Sequence, residues 1–108
     1  MPDEIKALVE EFLKRVVPLY RPRKVILFGS YARGHAHSHS DVDLLVVMDS
    51  GVSSRRMANE MDLLMVDRTV AMDLIVLTSE QYERQRQFPG TVASEAEREG
   101  QVVYEFAA

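Results

Sequence analysis

Two short stretches of the chain carry side chains suited to phosphate and metal chemistry. The apolar run Val25-Ile26-Leu27-Phe28 stops at Gly29, and Ser30 follows. A serine just after a tight glycine turn opens a helix whose free N–H groups face an anion, so this corner is expected to seat a phosphate. Gly29 lets the backbone come close, Ser30 offers a hydroxyl and an amide, and Arg33 adds a forked guanidinium. Asp41 and Asp43 then stand at i and i+2 at the head of the apolar run Val42 to Met48. On a strand such residues share one face, and two hard carboxylates side by side suggest a divalent cation. Alone, Gly29-Ser30 reads as an ordinary strand-to-helix turn and Arg33 as a surface arginine or half of an ion pair. The aspartates downstream favour the chemical reading.

The elements that must position these residues follow from periodicity. From Asp3 to about Tyr20, Ile5, Leu8, Val9, Phe12, Val16 and Leu19 recur at helical spacing, and Arg21-Pro22-Arg23 stops the helix. Lys24 to Phe28 reads as a first strand, Ser30 to Arg33 as a helical turn, Gly34 to Ser40 as a loop and Asp41 to Met48 as a second strand. Ser53 or Ser54 can cap a helix reaching about Arg68, with Met57, Met61, Leu64 and Met65 on one face. That methionine stripe is expected to be core, with an adaptable partner surface as the alternative. Val70 to Leu77 reads as a third strand, with Asp73, Ile75 and Leu77 on one face and Met72, Leu74 and Val76 on the other. A polar helix from Thr78-Ser79 to about Gln87, a break at Phe88-Pro89-Gly90, a short helix from about Val92 to Glu99 and an edge strand from Val102 to Phe106 complete the chain. Strands separated by helices imply an α/β domain.

Size and charge narrow the function. The 108 residues and 12.3 kDa are read as one domain, 1–108, with a single core and no room for a second substrate-binding domain. A net charge of -4 and a pI near 5.3 argue against gripping nucleic acid by bulk positive charge, so no direct nucleic-acid binding is expected. The absence of cysteine removes disulfides and thiolate sites. With no apolar run approaching the ~20 residues of a membrane span and no signal-peptide pattern, a cytoplasmic protein is expected. His35, His37 and His39 alternate, so an extended loop would place three imidazoles on one side, where zinc or nickel could bind; a solvated loop is the plainer expectation.

Gly29-Ser30, ten intervening residues and Asp41-Val42-Asp43 resemble the minimal nucleotidyltransferases of the DNA polymerase beta superfamily. That family carries a third carboxylate on a later strand, and Asp73 in Met72-Asp73-Leu74-Ile75-Val76 fills the position. An aspartate inside so apolar a run is costly if buried without compensation, which a metal would relieve. The resemblance implies a nucleotidyltransferase fold with a small mixed sheet, a catalytic and metal-binding triad of Asp41, Asp43 and Asp73, and two Mg2+ ions. It implies a nucleotide site at Gly29, Ser30 and Arg33 with ATP as substrate. Minimal nucleotidyltransferases of this size are often antitoxins encoded beside a HEPN-domain toxin, and some adenylylate it. The resulting expectation is an enzyme of a toxin–antitoxin pair, moving AMP to a hydroxyl of that partner, a tyrosine by choice, within a homo- or hetero-oligomer. The alternative is a non-catalytic antitoxin that blocks its partner sterically and only binds nucleotide. Modification of a small antibiotic-like molecule is a weaker third reading.

Overall fold

A computed structural model describes residues 1–37 and 39–107. Helix α1 (Asp3–Tyr20) carries Ile5, Val9, Phe12 and Val16 on its buried stripe. It ends where Arg21, with φ 47°, turns left-handed ahead of Pro22 and donates its N–H to the Val17 carbonyl at 2.9 Å. Strand β1 (Lys24–Phe28), the single-turn helix α2 (Ser30–Arg33) and strand β2 (Val42–Val47) follow. Next come α3 (Ser54–Leu64), β3 (Met72–Leu77), α4 (Ser79–Gln85), α5 (Val92–Glu99) and β4 (Gln101–Glu105).

The four strands form one mixed sheet in the order β3-β2-β1-β4. β1 runs antiparallel to both β2 and β4, while β2 and β3 are parallel. Side-chain alternation splits the sheet into two apolar faces. Val25, Leu27, Val42, Leu44, Val46, Met72 and Val76 meet α1 and α3, including the fully enclosed Phe12 and Met61. Ile26, Phe28, Leu45 and Val47 meet Tyr82 of α4 and Ala93 and Ala96 of α5. The methionine stripe of Met57, Met61 and Met65 is therefore core.

Element ends follow their caps. Thr78 and Gln81 form a reciprocal capping box at the start of α4, and Ser53 and Thr91 cap α3 and α5 through their hydroxyls. Helix α3 stops at Leu64 rather than near Arg68 because its last carbonyls are taken by arginines. Arg15 of α1 donates to the Leu64 carbonyl at 2.8 Å, and Arg68 folds back to that of Met65 at 3.0 Å. Arg15 also grips Asp67 through two nitrogens, at 2.7 and 3.1 Å, which holds the turn against α1.

Candidate functional site

The registers place the three aspartates at one end of the sheet. Asp43 lies beside Asp73 on the parallel neighbour β3 and directly across from Phe28 on β1. Asp41 stands just before β2, whose first residue, Val42, donates its N–H to the Ala71 carbonyl at 2.9 Å. Phe28 leads straight into Gly29, so the glycine turn, the paired aspartates and the head of β3 form one corner of the molecule.

Gly29 is buried, with φ 76° and ψ -156°. A Cβ on it would fall 2.1 Å from Asp43 Oδ2 and 3.0 Å from Cγ. The absent side chain is thus where the Asp43 carboxylate sits, and the positive φ independently disfavours other residues. The expected approach of backbone to phosphate at Gly29 is joined by an internal reason for the glycine: it seats the aspartate. Ser30 begins α2, half-buried beside this seat.

Burial is distributed differently from the expectation for Asp73. That side chain is exposed, because β3 is the edge of the sheet and α4 and α5 cover the face only around Ile75 and Leu77. The carboxylate that bears the cost is Asp43, half-buried behind Phe28 and Gly29. Desolvation, then repulsion from Asp73, Asp41 and Glu95, pushes its pKa from 3.8 up to about 6, against the pull of Arg33.

Among the described residues, no group of three or more His, Asp or Glu side chains is placed to hold a metal ion, so Asp41, Asp43 and Asp73 share a corner without converging on one point. The corner offers hard carboxylate oxygens from Asp43 and Asp73, neighbours in register, with Asp41 just ahead of β2. That donor set fits magnesium, which takes one or two carboxylates and keeps its remaining positions for water and phosphate. The histidine loop does not supply the extended imidazole row. It turns, with Ser40 N–H bonded to the His37 carbonyl at 2.9 Å and His39 N–H to His37 Nδ1 at 3.2 Å. Ser38 lies outside the described residues.

Arg33 is held by α5. Its Nη1 lies 3.4 Å from Glu99 Oε2 and 3.8 Å from Glu95 Oε2. The two glutamates are the site residues that reading along the chain missed. Their i, i+4 spacing on one helix face was visible, but nothing local to Val92–Glu99 places that face against Arg33 and Asp43.

Comparison with known proteins accords with this geometry. A family model described as nucleotidyltransferase domain matches residues 9–103, and the chain belongs to that family. Two relatives from Methanocaldococcus jannaschii carry the names "Putative protein adenylyltransferase MJ0604" and "Putative protein adenylyltransferase MJ1379". The first is 49% identical over 49 residues, which are 44% of this chain and 48% of the relative; the second is 39% identical over 47 residues, 44% and 47%. The matched region spans about half the length of these relatives. A crystal structure of a mutant of the toxin–antitoxin pair MntA-HpeT aligns with a TM-score of 0.62 at 20% identity, over 94% of this chain and 72% of that one. A toxin–antitoxin structure with AMP-PNP aligns at 0.57 and 20% identity, over 97% and 75%. These likenesses establish the nucleotidyltransferase fold.

Proposed function

We propose that the chain is a magnesium-dependent nucleotidyltransferase that moves AMP from ATP to a hydroxyl of a separate protein. The observation that carries this reading is the in-register pair Asp43 and Asp73, with Asp43 seated in the space left by Gly29. Membership of the nucleotidyltransferase family supports it, as do the names of the archaeal relatives. Asp41, Asp43 and Asp73 would hold the metal, which when bound would supply charge neutralisation and a more readily deprotonated hydroxyl.

The chain's own residues account for the rest. Ser30 and the Gly29 turn bind the triphosphate tail, with Arg33 reaching the same oxygens. The acceptor oxygen forms a bond to the α-phosphorus as the bond to the bridging oxygen breaks, and pyrophosphate leaves. The hydroxyl proton passes to Asp73, which is open to an incoming group at the sheet edge. Orientation of the acceptor comes from docking of the protein that bears it.

The acceptor assigned here is a tyrosine of a HEPN-type toxin, on the resemblance of the motif to minimal nucleotidyltransferases. The likeness to toxin–antitoxin structures supports a toxin partner. Intact mass of a HEPN-type partner protein, incubated with this protein, ATP and magnesium, tests the assignment. One or more added AMP units, absent with Asp43→Asn, are expected. A partner that is bound and inhibited but unmodified replaces the enzyme with a steric antitoxin.

A further inference from the structure

Arg33 stands three residues after Ser30 on the same helical turn, at the edge of the aspartate corner. Its contacts to α5 are long, 3.4 and 3.8 Å, and both run through the single nitrogen Nη1. Neither is the bidentate fork that makes an arginine–oxyanion pair strong. All three side chains are more than a third exposed, at 37% for Arg33, 40% for Glu95 and 39% for Glu99. Exposed pairs of this kind are weak and easily exchanged. One cation between two anions also leaves a net negative charge beside the proposed path of a triphosphate, and Glu95 adds to the repulsion felt by Asp43.

The surroundings hold this arrangement in place. Thr91 caps the start of α5 through Ser94 N–H at 3.1 Å, and its hydroxyl donates to the Gln85 carbonyl at 2.7 Å. Beyond the helix, Gln101 Nε2 reaches the Ala32 carbonyl of α2 at 3.3 Å. The two glutamates therefore belong to an element fixed on the same corner as Arg33.

We propose that Glu95 and Glu99 compete with the nucleotide's phosphates for Arg33, so that triphosphate binding requires the guanidinium to exchange from α5 to the ligand. This rests on the reading of Arg33 as a phosphate partner. The glutamates therefore lower nucleotide affinity. Glu99 is the cleaner handle, because Glu95 also acts on Asp43.

Calorimetric titration with magnesium and a non-hydrolysable ATP analogue tests the exchange in four proteins: wild type, Glu99→Gln, Arg33→Ala and the double variant. Circular dichroism confirms that each is folded. Glu99→Gln is expected to tighten Kd about two- to fivefold, the scale of losing one exposed ion pair. Arg33→Ala should weaken binding, and adding Glu99→Gln to it should then change Kd less than about twofold. Weaker or unchanged binding in Glu99→Gln overturns the competition. Equal tightening with and without Arg33 also overturns it, by showing a general charge effect. Failure of wild type to bind the analogue would remove the nucleotide reading along with the inference, whereas binding with no Glu99 effect removes only the inference.

Discussion

Asp43 is the residue on which the site's geometry and its cost converge. Its carboxylate lies in the gap left by the missing Gly29 side chain, faces Phe28 and repels Asp73 and Asp41. Between 3.8 and about 6 the folded chain holds a proton that the unfolded chain has released. More protons bound in the native state mean that stability falls as pH rises through that window and is regained on acidification. Asp43→Asn should therefore stabilise the metal-free protein by ~1–2 kcal/mol at about pH 7.5, allowing for partial solvation, and the advantage should shrink by about pH 4.5. Urea unfolding in a chelator at both values checks this. Equal stability of the two proteins at the higher pH would show that Asp43 bears no electrostatic strain. The same observation separates what was legible from what was not: spacing marked Asp41 and Asp43 as a pair, but the burial argument pointed to Asp73, because an apolar stretch of sequence does not reveal that its strand is an edge.

At the scale of elements, α5 brings to the corner the glutamates that the site was not expected to contain. Its close approach to β1 depends on Gly100, where a Cβ would meet the Ala96 carbonyl oxygen at 2.4 Å, Ile26 Cγ2 at 2.5 Å and the Leu27 carbonyl oxygen at 3.1 Å. Two of these neighbours are backbone and cannot swing aside. Gly100→Ala should cost ~1–3 kcal/mol and speed amide exchange in α5 and β4, read by chemical denaturation and hydrogen exchange. A change within about 0.5 kcal/mol would mean that the junction is looser than described. Helix starts were legible because serine and threonine caps are local signals. The end of α3 was not, because the cap on Leu64 comes from Arg15, on another helix.

For the whole molecule, alternation along the strands foretold both faces of β3, and the Met57, Met61 and Met65 stripe foretold the core. The mixed order β3-β2-β1-β4 came from resemblance rather than from spacing, since antiparallel and parallel neighbours leave the same alternation in one strand. That order matters because only the parallel β2–β3 pairing sets Asp43 beside Asp73, while the antiparallel β1–β2 pairing returns Phe28 and Gly29 to the same corner. For the histidines, alternation puts side chains on a common side only in extended chain, and that condition is not met where Ser40 N–H returns to the His37 carbonyl.

The central claim is that this corner transfers a nucleotide using its paired aspartates. The most direct test is the rate of AMP incorporation from labelled ATP into the proposed HEPN-type acceptor protein, with magnesium, for wild type and Asp43→Asn. Loss of a metal ligand should remove at least ~3 kcal/mol of transition-state stabilisation, about a hundredfold in rate, while the variant stays folded. Incorporation by folded Asp43→Asn at the wild-type rate would contradict the assignment.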